Sequence, residues 1–276
     1  MLAGLGQRSA QAQTCHPPSD SNEAKLLAFY EAPIMFSPAT RPQALAPWSL
    51  VVGVEVSPIP NPDPALEQTS LCFRQKQEHT RIAPVLPRPR ITLGLPAGFA
   101  FEASYLPPVT VDQATPNLGS FALSWTPDSH DPQAQFRWML RAQGTVGKVQ
   151  GPITCAKEHL QQNDPTAPCY GTNPSKDSFY PNSIAGEGVV GYNNHSGRVG
   201  AYAGAGVNRL LPRFQTGFTD LNGVTDSTRI EVDLTRFAIF GGIGWRAVAQ
   251  LELSAQVYSV PEDVTTWRFG AAYRFW

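Results

Sequence analysis

The stretches Leu251-Glu252-Leu253-Ser254-Ala255-Gln256-Val257 and Trp267-Arg268-Phe269-Gly270-Ala271-Ala272-Tyr273-Arg274-Phe275 decide the fold. In both, apolar residues alternate with polar or small ones, which is the period of a β-strand with two unlike faces. A helix would space its apolar residues three and four apart. Working back along the chain, the same alternation recurs about ten times. Trp48, Leu50, Val52, Val54 and Val56 share one phase, as do Ile91, Leu93 and Leu95, then Phe99, Phe101, Ala103 and Tyr105. Phe121, Leu123 and Trp125 follow, then Phe136, Trp138, Leu140, Ala142 and Val146. Two Gly-rich strands fall at about Ser183 to Tyr192 and Arg198 to Asn208. Ile230, Val232 and Leu234 alternate with Glu231 and Asp233, and a one-residue slip near Thr235-Arg236 reads as a bulge that re-phases the strand to Phe237, Ile239 and Ile243.

Composition narrows the class. The 276 residues include 23 Gly and 26 Pro, too many breakers for a mostly helical chain. With 21 basic against 22 acidic residues there is no excess to neutralise phosphates, so nucleic acid is not an expected partner. No stretch approaches the roughly 18 apolar residues of a transmembrane helix. An all-β protein remains: a soluble β-sandwich, or a barrel in a membrane.

Three features favour the membrane barrel. Connections alternate between long (Ser57 to Pro89, Pro107 to Asn117, Gln150 to Asn182, Leu210 to Thr228) and short or modest (Pro96-Ala97, Pro127 to Pro132, Asn193 to Gly197, Trp245-Arg246), with Val260 to Val264 the one short member of the long set. That asymmetry is typical of outer-membrane barrels. Strands of roughly 9 to 11 residues match a tilted bilayer span. Trp48, Tyr105, Trp125, Trp267 and Tyr273 sit near strand ends, where interfacial girdles belong.

The chain ends Tyr273-Arg274-Phe275-Trp276, aromatic and within an alternating strand. This resembles the terminal β-signal of bacterial outer-membrane β-barrel proteins. Phe275 is in phase with the apolar face and Trp276 adds one residue. The resemblance implies location in the bacterial outer membrane, contact with its lipid, and recognition of Tyr273, Phe275 and Trp276 by the barrel assembly machinery. The expected fold is an antiparallel up-and-down transmembrane β-barrel of about 10 strands, with eight or twelve as alternatives. Residues 1–13 read as a signal-peptide remnant or a disordered leader, residues 14–47 as a periplasmic tail or lumen plug, and residues 48–276 as the barrel.

With apolar faces on lipid, the opposite faces line the lumen. They carry Arg90, Arg137, Arg141, Arg198 and Arg268 against Glu102, Glu187, Glu231, Asp233 and Glu252. A selective pore would carry an excess of one sign. Balanced charges instead suggest an ion-pair network filling a narrow lumen, with a solute path as the alternative. Small inward residues such as Ala100, Ser120, Ala122, Gly200 and Gly270 leave space for water, ligand or chain. Residues 21–46 could fill it, beginning with a helix over Asn22 to Tyr30 capped by Asp20 or Ser21 and stopped by Pro33.

Four cysteines, Cys15, Cys72, Cys155 and Cys169, suit an oxidising compartment, with four free thiols as the alternative. Cys155 and Cys169 bracket one polar loop, which predicts a local staple. Cys15 and Cys72 can pair only if the N-terminal segment threads the lumen, or if the barrel is oriented the other way. Scattered histidines and the lack of a Cys-x-x-Cys pair imply no metal site, and no cofactor is expected. His79, His130, His159 and His195 are isolated, and no Gly-x-Ser-x-Gly elbow occurs, so no catalytic residues are assigned and the chain is not expected to be an enzyme. The functions expected are a narrow or plugged channel for passive uptake or binding of a small solute, or a structural or adhesion barrel displaying stapled external loops. A secreted soluble β-sandwich is the third reading.

Overall fold

The computed structural model describes residues 13–67, 71–72, 84–111, 113–127 and 135–275. The leader reading (save Gln13), Trp276, His79 and His130 lie outside the described residues. Among these residues, ten antiparallel strands form a closed barrel. They are β1 (Leu50–Pro58), β2 (Val85–Gly94), β3 (Phe99–Leu106), β4 (Thr115–Trp125), β5 (Phe136–Gly151), β6 (Asp177–Asn193), β7 (Val199–Gln215), β8 (Leu234–Arg246), β9 (Leu251–Val260) and β10 (Val264–Arg274). Each pairs with the next, and β10 closes on β1 with Phe269 opposite Val56 and Arg274 opposite Val51. Closure leaves no open sheet edge, as lipid requires.

The outward face through the membrane is apolar: Val52, Val54, Ile91, Phe101, Phe121, Leu123, Trp138, Leu140, Ile239, Ile243 and Phe269 are all exposed. That is the reverse of a β-sandwich, whose apolar face would be covered. The short connections 95–98, 194–198 and 247–250 share one end of the barrel with the start of β1 and the end of β10. The long connections 59–84, 152–176 and 216–233 occupy the other end, which is the external one.

Strands β5, β6 and β7 have 16, 17 and 17 residues. A bilayer span needs about 9–11, so these strands project beyond the outer surface. There the two faces exchange polarity. Arg209 and Asp233 pair at 2.8 Å on the outside with side chains 61 % and 56 % exposed, while Leu210, Phe214 and Leu234 are buried inside. This corrects the bulge expected at Thr235-Arg236. β8 pairs with β7 without a break from Leu234–Leu210 to Trp245–Val199. Leu234 faces in and Phe237 faces out because the solvent outside the wall changes from water to lipid, so no backbone slip is needed.

The interior is occupied by the chain's own N-terminal segment. Thr14 and Cys15 pair in parallel with Arg229 and Ile230 at the outer rim, and Cys15 is disulfide-bonded to Cys72 in the first external loop. Helix α1 (Asn22–Glu31) follows, its N-cap Ser21 hydroxyl accepting from the Ala24 N–H at 3.1 Å. Pro33 cannot continue a helix, and after a single turn the chain becomes extended. Ala24, Leu27 and Ala28 of α1 join Leu210, Phe214, Phe240, Tyr258 and Val260 of the wall in one buried cluster. A second disulfide, Cys155–Cys169, staples the loop between β5 and β6 and is packed by Phe218.

The closed wall predicts heat-modifiability. Refolded in detergent, the unheated protein should migrate faster on a gel than the boiled sample and should resist protease. Equal mobility, with solubility in the absence of detergent, would instead point to a sandwich.

Candidate functional site: the plugged lumen

Residues 32–41 cross the middle of the barrel as a strap, one helical turn at Ala32–Ile34 and then non-helical chain, and wall side chains take up its backbone. Arg268 donates to the carbonyls of Met35 at 2.8 Å and Ala32 at 3.2 Å and to the Ser37 hydroxyl at 2.6 Å. Arg88 donates to the carbonyls of Met35 at 3.1 Å and Ile34. Arg90 donates to Ser37 O at 2.7 Å, and Arg141 donates to Phe36 O. Gln143 accepts from the Phe36 N–H at 2.8 Å, and Gln256 donates to Pro38 O at 2.9 Å. The Phe36 ring is wholly buried, with the guanidinium carbons of Arg90, Arg141 and Arg88 at 4.2, 5.1 and 5.4 Å from its centroid. Such cation–π contacts gain strength once desolvated.

The same arginines are paired to wall carboxylates. Glu55 takes Arg90, and Arg88 at 3.8 Å. Glu102 takes Arg90 at 2.6 Å and Arg141 at 2.9 Å, and Glu187 takes Arg141 at 3.0 Å and Gln143 at 3.0 Å. A chain of alternating charge thus runs from β1 through β2 and β3 to β5 and β6. Below it, Arg41 of the strap meets Glu252 at 3.4 Å, Asn193 at 2.6 Å and the Gly197 carbonyl at 2.9 Å. Small wall residues make room for the segment. A Cβ on Gly94 would lie 2.3 Å from Ala46 O, and one on Gly200 would lie 2.5 Å from the Arg41 guanidinium.

Of the lumen charges expected from the sequence, Glu102, Arg141, Glu187, Glu252, Arg268 and Arg90 are gathered in the interior. Four are not. Arg198 is exposed in the turn 194–198. Arg137 has the inward phase but is half-exposed near the periplasmic end. Glu231 and Asp233 lie outside, paired with Arg229 at 3.8 Å and Arg209 at 2.8 Å. Their strand has already left the membrane, so the outward face there is the wet one. Glu55, Arg88, Arg41, Phe36, Gln143 and Gln256 were missed. Glu55 and Arg88 could have been found by extending the inward phase of Gly53 and Arg90. Arg41 and Phe36 belong to a segment without periodicity.

Glu31 ends α1 at the outer level of the lumen, facing the β9–β10 turn that carries Asp263. It is fully buried, and neither carboxylate oxygen has a side-chain partner. Burial, with Asp263 nearby, pushes its carboxyl well above the usual range. An acid raised in the folded state binds a proton that the unfolded chain releases, so it costs stability as pH rises above its unfolded value.

A closed ten-stranded wall with a lipid-facing apolar band and an interior of paired charges defines a transmembrane β-barrel of the outer-membrane class. No described protein family matches the sequence, and no curated protein matches it. Among solved structures, the chain is similar to Ail, the attachment invasion locus protein of Yersinia pestis, solved with the heparin analogue sucrose octasulfate (14 % identity over 82 % of this chain and 97 % of that one, TM-score 0.33). It is similar also to the outer membrane protease OmpT from Escherichia coli (9 %, 83 % and 94 %, TM-score 0.41) and to the KdgM porin (10 %, 83 % and 99 %, TM-score 0.28).

Three variants test the site. Glu102→Ala leaves Arg90 and Arg141 short of a buried partner and should cost roughly 3–5 kcal/mol. Phe36→Ala should cost about 3–5 kcal/mol for the cavity left. Both should appear as lowered unfolding temperatures in detergent. Glu31→Gln should raise the unfolding temperature at pH 8, and the gain should shrink towards pH 4, where the glutamate is protonated in both states.

Proposed function

We propose that this protein is a plugged outer-membrane barrel that binds a small solute and closes its lumen to free passage with residues 32–41. The observation that carries the reading is the strap itself. Its carbonyls are held by four wall arginines, and below them the lumen has a pocket of 70 Å³ beside Thr40, Arg90, Glu102 and Ser254, room for one or two waters. Passage would require the strap to leave, breaking every hydrogen bond described above. The balanced charges are in keeping with a filled interior and not with a ring that selects ions. The C-terminal strand is proposed to carry the assembly signal, with Tyr273 and Phe275 in edge-to-face contact at 5.0 Å and the Phe275 N–H on Leu50 O at 3.0 Å.

A structural or adhesion role is the second reading, supported by the projection of β5–β7 and the Cys155–Cys169 staple at the external end. Planar-bilayer recording separates the two. The wild type should be electrically silent, and a Phe36→Ala/Arg268→Ala variant that keeps its heat shift should show channel openings. Steady conductance in the wild type would sink the plug. Silence in the loosened, folded variant would leave the structural role.

A further inference from the structure

Among the described residues, the shortest ladder of the wall is the one at the seam between β2 and β3. Between β2 and β3 the ladder runs only from Gly94–Ala100 to Ile91–Ala103. Beyond it, β2 stays paired with β1 as far as Val85, and β3 stays paired with β4 as far as Leu106. Continuing the register would set Pro89 opposite Tyr105 and Pro87 opposite Pro107. Gly94 donates its N–H to Ser49 on the β1 side, whereas Leu95 donates to Phe99 on the β3 side. Directions alternate along a strand, so odd-numbered residues of β2 face β3. Pro87 and Pro89 are odd, and where β2 should donate to β3 it has no N–H to give. The seam lies in the half of the wall away from the short turn 95–98, towards the external end.

Behind the seam is an apolar cavity of 210 Å³. Leu86 and Pro87 of β2, Leu106 and Pro107 at the end of β3, Leu118 of β4 and Tyr30 of the plug helix line it, and no lining residue is charged. Val85, Val109 and Val111 also line it and are exposed, so the cavity reaches the outside at the external end of the seam, beside its two lips, Pro87 and Pro107. The outward face beside the lips is apolar, with Tyr105 exposed next to them and Ile91 and Phe101 exposed further down the same face. An apolar cavity of about 150 Å³ stays dry and accepts a benzene ring, whereas a drug-sized ligand needs about 300 Å³ or more. The volume therefore suits a narrow apolar group, and a mouth at the outer edge of the lipid-facing band puts the outer leaflet within its reach.

We propose that this cavity takes the end of a single hydrocarbon chain, admitted sideways from the outer leaflet through the β2–β3 seam. The inference rests on the solute-binding reading and names its solute class. The two fail separately, since conductance reports on the lumen and labelling reports on the cavity. In the mechanism, Pro87, Pro89 and Pro107 keep the seam open, Leu118 and Leu106 supply the floor, and Tyr30 and the strap beyond it stop the chain from going deeper.

The test uses the full chain in phosphatidylcholine vesicles containing a long-chain fatty acid with a terminal diazirine. After illumination, mass spectrometry should find label on inward-facing Leu106, Leu118 or Tyr30. In Pro89→His/Tyr105→His, zinc bridging the two imidazoles should close the seam and abolish that interior label, and a chelator should restore it. Leu118→Trp, which fills the cavity, should lose it without zinc. Folding of each variant is checked by its heat shift. Label confined to outward residues such as Phe121 and Leu123, or interior label that persists with zinc in a folded barrel, would overturn the proposal.

Discussion

Four guanidinium groups buried in one lumen, those of Arg88, Arg90, Arg141 and Arg268, impose a demand that the wall alone does not meet. Each carries five N–H donors and accepts nothing. The neighbouring carboxylates of Glu55, Glu102 and Glu187 satisfy part of it, and the carbonyls of residues 32–37 supply much of the rest. The strap has the complementary need. An extended backbone inside a barrel has no sheet partner, and its carbonyls would otherwise be stranded away from water. Each half removes the other's unsatisfied groups, so the plug and the arginine cluster form one structural unit.

That unit divides the interior into two levels. Above Phe36 the lumen is an ordinary apolar core, with α1 packed against Leu210, Phe214, Phe240 and Tyr258. At and below it the interior is polar and ionic. The division follows the membrane. Where lipid surrounds the wall, polar groups can only face inwards; where water surrounds it, the usual arrangement returns and the inner face becomes the oily one. The apolar cavity behind the β2–β3 seam sits against the upper level, at the outer edge of the lipid-facing band, and the 70 Å³ pocket sits in the lower one. A solute path through this protein is therefore a question of two separate compartments divided by the strap.

Much of the wall was legible from alternation. Phe99 to Tyr105, Phe136 to Leu140 and Trp267 to Phe275 each state which face meets lipid, because the strand period and the covalent chain fix the side of every residue. The same reasoning placed Glu102, Arg141, Glu187, Glu252 and Arg268 inside. It misplaced Glu231 and Asp233 because alternation carries no mark of where the membrane ends, and β7 and β8 continue past that level without a break in register. Arg198 was misplaced for a related reason, since the Gly-rich alternation begins in the turn just before β7.

The sequence by itself determined the strands, their two faces and the presence of opposite charges on the hidden one, since these follow from a local period of two. It left residues 14–47 open between a tail and a plug, and it left the cysteine pairing dependent on that choice. Only the tertiary structure decided both, joining Cys15 to Cys72 and drawing Phe36 among Arg88, Arg90 and Arg141. The reason is physical. A segment whose backbone is satisfied by side chains from four different strands carries no periodic signature of its own, and its partners exist only once the barrel has closed.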